Sequence, residues 1–189
     1  MKEYKSYNFD GFLWLHDDMV PNMRKISNFE KNVSWVIDTG KYWTVEPWSS
    51  RNFSWFWLNG NMGIDSMNKL LESRPDFSSN LKKCTGHIHN WFIGQSDFVY
   101  LSKEYIDELL DIVGLFSKYR LFLEIAIPTF MYCFACDKEK CQKLKLCTSF
   151  GKNRLSYYRE CDNSFDLYHP VKGYMPEARS FVMEKVITR

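Results

Sequence analysis

The chain has 189 residues, 45% of them hydrophobic, with a formal net charge of +2. Such a composition supports one packed domain and argues against intrinsic disorder. Lysine and arginine are scattered rather than clustered, which argues against a nucleic-acid-binding protein. No stretch reaches the ~20 apolar residues of a membrane span, and no N-terminal apolar signal run is visible.

The predicted elements of the N-terminal half begin with a strand over "GFLWL", where apolar residues run without interruption. The elements that follow are a turn or short helix over 17–23, a strand over 33–37, an irregular aromatic-rich stretch over 38–51, and a helix over 63–73. The helix is indicated by Ile64, Met67 and Leu71, which recur at helical spacing, and we expect the region of Pro75 to end it.

The C-terminal half alternates short strands with helices. The predicted elements are a strand over 97–101, a helix capped by Ser102, a strand over 121–127 that passes into a helix near Pro128, a strand ending in the His169-Pro170 turn, and a helix from about Pro176. Ile106, Leu109, Leu110, Val113 and Phe116 form the predicted buried stripe of the Ser102-capped helix. The alternation predicts the α/β class, with a mixed, mostly parallel sheet and flanking helices, in a single domain over residues 1–189.

Two adjacent acids, Asp17 and Asp18, follow the first strand directly. Ligands of open α/β sheets bind at the carboxyl ends of strands. Paired carboxylates are oxygen ligands suited to Mg²⁺ or Mn²⁺, and a divalent ion removes their mutual repulsion. The alternative is a surface turn in which the pair caps the following helix.

Four of the six cysteines lie close together in the sequence. They are Cys133, Cys136, Cys141 and Cys147, and their spacing is compatible with a tetrahedral zinc site. The same residues are also compatible with one or two disulfides in an oxidising lumen, and Cys133 and Cys136 with buried thiols on a helix.

Four stretches together resemble a family of nucleotide-sugar glycosyltransferases of the A fold, the Asp-x-Asp type, distantly akin to the plant STELLO proteins. They are "GFLWLHDDM", "WFIGQSDFVYLSKEY", "LFLEIAIPTF" and "DLYHPVKG", in that order, and they extend from Gly11 to Lys172. His16 stands where such motifs often begin with Asp or Asn, so the resemblance leaves the ligand set open at this position.

The resemblance implies a metal-dependent reaction in which a sugar passes from a nucleotide donor to an acceptor hydroxyl on a glycan or glycoprotein. Asp17 and Asp18, with His169 as a further ligand, would hold Mn²⁺ or Mg²⁺ and through it the donor diphosphate. Neutral imidazole suits Mn²⁺ better than Mg²⁺. Lys172 would reach the departing phosphate, or would be a solvated turn lysine.

Asp97 and Glu124 are candidates for acceptor binding or for the general base that accepts the acceptor's proton. Glu124 stands alone in an apolar run, so either a site or a structural ion pair, for instance with Arg120, must account for it. His87 and His89 are expected on one side of a strand, as metal ligands or near an acceptor groove.

Only sixteen residues precede Asp17, whereas the transferase A fold places a nucleotide-binding region of roughly a hundred residues before its acidic motif. The chain therefore resembles the C-terminal, acceptor-side part of such a domain, with an exposed sheet edge. The resemblance implies the Golgi lumen as compartment. A non-catalytic glycan-binding or assembly protein derived from a glycosyltransferase is the alternative function.

Overall fold

The computed structural model describes residues 8–38, 42–44, 63–136, 141–148, 160–172 and 174–184. Its strands are β1 (Gly11–Leu15), β2 (Val20–Pro21), β3 (Trp35–Ile37), β4 (Tyr42–Thr44), β5 (Asn90–Phe92), β6 (Phe98–Ser102), β7 (Gln142–Leu144), β8 (Leu146–Thr148) and β9 (Leu167–His169). Its α-helices are α1 (Met23–Ile26), α2 (Ile64–Ser73), α3 (Pro75–Thr85), α4 (Ile106–Tyr119), α5 (Leu123–Phe130) and α6 (Pro176–Val182). The predicted α/β class is confirmed. None of these helices is long and apolar enough to cross a membrane.

The main sheet has four strands in the order β1-β6-β3-β7. β6 runs antiparallel to both of its neighbours, and β3 pairs with β7 in parallel. Two smaller sheets, β2-β9-β8 and β4-β5, complete the described strands. The sheets are mixed, as predicted, but the expectation of mostly parallel strands is wrong for the described pairings, most of which are antiparallel. In the main sheet this follows because β6 begins at the edge at which β1 and β3 end.

The two faces of the main sheet are buried in different clusters. Val36, Val99 and Leu101 face the side covered by helices α2 to α5. Trp35 and Tyr100 face the opposite side, where their rings stack with centroids 4.2 Å apart. This alternation follows from the two-residue repeat of a strand, which sends successive side chains to opposite faces.

Two helix boundaries differ from the sequence-based expectations. Pro75 begins α3 rather than only ending α2, because proline is well accommodated in a first helical turn, where its missing N–H costs no bond. Leu123 begins α5, so the apolar run around Glu124 is a helix and not a strand. A short apolar run does not distinguish the two by its periodicity.

The stripe predicted for α4 is buried only in part. Phe116 is in the core together with Ile112, whereas Leu109, Leu110 and Val113 are half-buried. These three line an apolar groove between α4, α5 and β1. The aromatic-rich stretch predicted to be irregular lies mostly outside the described residues, although β4 within it is a strand.

All six cysteines form disulfides, between Cys84 and Cys133, Cys136 and Cys141, and Cys147 and Cys161. The zinc interpretation of the cysteine cluster is therefore wrong for this structure, since no thiolate is left to bind the ion. Sequence spacing did not reveal the pairing, because two partners, Cys84 and Cys161, lie outside the cluster.

Candidate functional site

The acidic segment after β1 and the aspartate before β6 meet at one edge of the main sheet. Leu15 pairs with Phe98 in the antiparallel register, so the residues just beyond this pair are also neighbours. The backbone N–H of His16 donates to the carbonyl of Asp97 over 2.8 Å. This bond extends the ladder by one residue and fixes Asp97 beside the acidic segment.

The small sheet brings the C-terminal part of the chain to the same edge. Val20 pairs with Tyr168, and the N–H of Val171 donates to the carbonyl of Asp18 over 2.7 Å. These backbone bonds place His169 Nε2 3.1 Å from Asp18 Oδ1. Lys172 Nζ donates to the other carboxylate oxygen of Asp18.

The Asp18 carboxylate is the centre of this cluster, with its side chain 12% exposed. Burial raises its pKa, but hydrogen bonds with Lys172 and His16, and the nearby His169, outweigh burial and lower the pKa below its ordinary value. Asp18 is therefore ionised at neutral pH. A shielded, ionised carboxylate beside an imidazole can bind a cation, and the neighbouring Lys172 ammonium can bind a phosphate.

His16 and Asp17 lie on the solvent side of the cluster. Asp17 is 92% exposed, and its Oδ1 lies 2.9 Å from His16 Nδ1. The hydrogen bond with Asp18 raises the pKa of His16. Potential ligand atoms of His16, Asp17 and Asp18 all lie within 4.8 Å of one another, the separation expected of ligands that share an ion.

Glu124 is held beside the loop that carries Asp97 by a specific backbone arrangement. Pro128 lies inside α5 and has no N–H, so it leaves the Glu124 carbonyl without the bond that a helix normally supplies. The N–H of Gly94 donates to this carbonyl over 2.9 Å. The bond joins the loop that carries Asp97 to the first turn of α5. The feature of the sequence that could have indicated it is Pro128, a proline inside a helical segment.

The Glu124 carboxyl is half-buried beside this loop. Burial raises its pKa, and the negative charge of Asp97 raises it further, while His16 acts in the opposite direction. A carboxylate with a raised pKa is a stronger base than an exposed one. The alternative of an ion pair with Arg120 does not account for the raised pKa of Glu124. That pKa reflects burial first, then an opposing bond from the residue's own backbone N–H, and then Asp97 and His16.

The predicted candidates do not all lie together. Asp97 Oδ2 lies 3.9 Å from His169 Nε2, so both join the Asp18 cluster. His87 and His89 lie in the turn between α3 and β5, not on a strand, and belong to no cluster of potential metal ligands among the described residues. His16, which the sequence left open, contributes its imidazole to the cluster.

Comparison with known proteins identifies relatives of this chain. It is 28% identical over 125 residues to Probable glycosyltransferase STELLO1 of Arabidopsis thaliana, and 25% identical over 126 residues to Probable glycosyltransferase STELLO2 of the same plant. Each alignment covers 64% of this chain but only 15% and 16% of the respective relative. No protein-family model and no solved structure matches. The chain is a distant relative of the STELLO-type probable glycosyltransferases.

Proposed function

We propose that this chain carries the metal- and diphosphate-binding part of a glycosyltransferase that moves a sugar from a nucleotide donor to an acceptor hydroxyl on a glycan or glycoprotein. The observation that supports it best is the 3.1 Å contact between Asp18 and His169, which are distant in sequence. The relationship to two probable glycosyltransferases supports the same reaction class.

The residues of the cluster fit a divalent metal ion. Asp18 offers a shielded, ionised carboxylate, His169 an imidazole nitrogen, and Asp17 a solvent-facing carboxylate beside His16. A mixed set of carboxylate and imidazole ligands suits Mn²⁺, and carboxylates with water suit Mg²⁺. When bound, the ion supplies positive charge that stabilises the leaving diphosphate.

Lys172 has two roles in this proposal. Without a donor, its ammonium neutralises the Asp18 carboxylate. Its side chain is partly exposed, so it can turn from Asp18 towards a phosphate oxygen once another cation shares that carboxylate. A charge-assisted bond from an ammonium to phosphate is stronger than a bond between neutral groups.

Glu124 and Asp97 serve the acceptor side. Burial raises the pKa of Glu124, which makes it the better general base of the two for the acceptor hydroxyl proton. Asp97 is fixed to His16 through its backbone, so we assign it to positioning the acceptor. The disulfides favour an oxidising compartment of the secretory pathway, in keeping with the Golgi lumen that the resemblance implies.

Isothermal titration calorimetry tests this proposal with uridine and guanosine diphosphates, in MnCl₂ and in EDTA. We expect binding that requires Mn²⁺, is lost in Asp18→Asn and is weakened in His169→Gln. Asp111→Asn, the same chemical change on an exposed face of α4, is the matched control. Absence of nucleotide binding in MnCl₂ rejects the proposal. Sugar binding without nucleotide binding favours the non-catalytic alternative.

A further inference from the structure

The first strand of the main sheet has an apolar outer edge. β1 ends the strand order, and no described strand pairs with its outer side. Four consecutive large side chains on it, Phe12, Leu13, Trp14 and Leu15, are between 39% and 58% exposed. Natural sheets usually protect an edge with lysine, proline or a bulge, and the sequence of β1 contains neither lysine nor proline.

The hydrogen bonds of β1 establish which backbone groups point outward. Asp10 accepts from the N–H of Lys103 over 2.9 Å, and His16 donates to Asp97 over 2.8 Å. In an antiparallel pair, residues that bond to the neighbour alternate with residues that do not. The even-numbered residues of β1 therefore bond to β6, and Gly11, Leu13 and Leu15 direct their N–H and C=O groups outward.

This alternation makes the edge complementary to itself. If a second copy pairs antiparallel about a two-fold axis at Leu13, Leu13 bonds to Leu13 of the second copy, and Gly11 bonds to Leu15 of the second copy. All three outward-facing residues then find both backbone partners. Moving the register by two residues in either direction leaves some of these groups without a partner.

The side chains agree with the same register. Phe12 lies opposite Trp14 of the second copy at a non-hydrogen-bonded position, where cross-strand aromatic side chains approach most closely. Asp10 lies opposite His16 of the second copy. Asp10 is well exposed, and its Oδ2 is 3.4 Å from Lys31 Nζ.

The groove beside β1 lies on the same face as these aromatic side chains. It has a volume of about 410 Å³, and its walls are aliphatic side chains of α4 and α5 together with Phe12 and Trp14. Trp14 lies opposite Val99 and Phe12 opposite Leu101 in the β1–β6 register. Pairing about Leu13 would bring the grooves of both copies together, with the four aromatic rings between them.

We propose that two copies of this chain associate through β1, by antiparallel pairing centred on Leu13, into a continuous sheet with two-fold symmetry. The interaction is a strand addition in which backbone bonds supply the register and apolar side chains supply the buried surface. The inference uses the edge of the sheet and not the chemistry of glycosyl transfer, although His16, at the end of this edge, also belongs to the Asp18 cluster.

Analytical ultracentrifugation of the full chain at about 1–100 µM tests the association. We expect a dimer that dissociates on dilution. Leu13→Pro removes one outward N–H and keeps the bonds to β6, and Leu13→Lys places two charges at the axis, so both variants should be monomeric. Met23→Lys removes an apolar side chain of comparable exposure from α1 (44% against 52% for Leu13) and should remain dimeric. Circular dichroism verifies that each variant is folded.

Cross-linking tests the register. Directly opposed residues of a hydrogen-bonded pair have Cα atoms about 5.5 Å apart, within reach of a disulfide. Leu13→Cys should give a covalent dimer under mild oxidation, whereas Leu15→Cys, which lies opposite Gly11 of the second copy, should not. A monomer at 100 µM, a dimer that both Leu13 variants leave intact, open-ended aggregation, or equal cross-linking of both cysteine variants overturns the proposal.

Discussion

Asp18 and His169 lie near opposite ends of the chain, yet their side chains meet with Oδ1 and Nε2 3.1 Å apart. The contact depends on the pairing of β2 with β9 and on the backbone bond from Val171 to Asp18. Both side chains are nearly buried, so the pair is shielded from solvent. The attraction between charged and polar groups is stronger in such a shielded position than in water.

Asp18→Asn should lower the free energy of unfolding at pH 7 by about 1–2 kcal/mol, because Lys172 and the imidazoles lose a charged acceptor. The pKa of Asp18 is lowered in the folded state, so its contribution is present above pH 3.8 and is lost as pH falls through the folded pKa. Urea unfolding of wild type and variant should therefore converge in acid. A constant difference down to pH 2 would contradict the ionic role.

His16 adds an opposite pH dependence to the same cluster. Its pKa is raised above 6.5 by the bond with Asp18, so its contribution is complete below pH 6.5 and is lost as pH rises through the folded pKa. The difference in free energy of unfolding between wild type and Asp18→Asn should be largest between pH 3.8 and pH 6.5. In His16→Ala, urea unfolding should no longer show the loss of this contribution to stability as pH rises above 6.5. The loss of stability in acid, which comes from Asp18, should remain.

The free energy of unfolding of Glu124→Gln, measured relative to wild type, should be higher at pH 7.5 than at pH 4.5. Because burial raises the pKa of Glu124, the folded state holds this proton more tightly than the unfolded state, and stability is lost as pH rises from 4.5 through the folded pKa. The glutamine amide of the variant does not ionise in this pH range. Denaturant titrations at the two pH values measure the effect, with Glu108→Gln on α4 as the exposed control. If the free energy of unfolding of Glu124→Gln and of wild type depended on pH in the same way, the raised pKa that we attribute to burial of Glu124 would be contradicted.

The three disulfides should differ in their contributions to stability. Their sequence separations are 49 for Cys84–Cys133, 14 for Cys147–Cys161 and 5 for Cys136–Cys141. From loop-closure entropy we expect removal of each pair to cost about 4, 3 and 2 kcal/mol respectively. Paired Cys→Ala variants compared by urea unfolding test this order. Mass spectrometry should find no alkylation before reduction, and alkylation of the unreduced protein would contradict the pairing.

Gly11→Ala should destabilise the protein by about 1–3 kcal/mol. A Cβ at this position would lie 2.5 Å from the Tyr100 hydroxyl and against the backbone carbonyl of Leu101, and a backbone atom cannot move aside as a flexible side chain does. Gly114→Ala is the control, because its Cβ meets nothing within 4 Å and a helix gains about 0.5–1 kcal/mol from alanine. Thermal unfolding should move the two variants in opposite directions.

Local patterns in the sequence were enough for several parts of the fold. The apolar run of β1, the helical repeat of α2 and the strand at β6 each reflect interactions between near neighbours. The same patterns failed at Glu124 and at the stripe of α4. An apolar residue in either place is compatible with a strand, a core or a groove, and only the packing partners distinguish these.

The sequence by itself determined the α/β class, the position of the acidic pair after the first strand, and the residue types suited to a metal ion. Only the tertiary structure decided that β6 runs antiparallel to its neighbours and that Cys84 and Cys161 are the partners of Cys133 and Cys147. It also decided that His169 meets the Asp18 carboxylate and that Asp97 lies beside His169. Strand direction, disulfide pairing and convergence on a site depend on contacts between residues far apart in the chain, and local preferences carry no record of them.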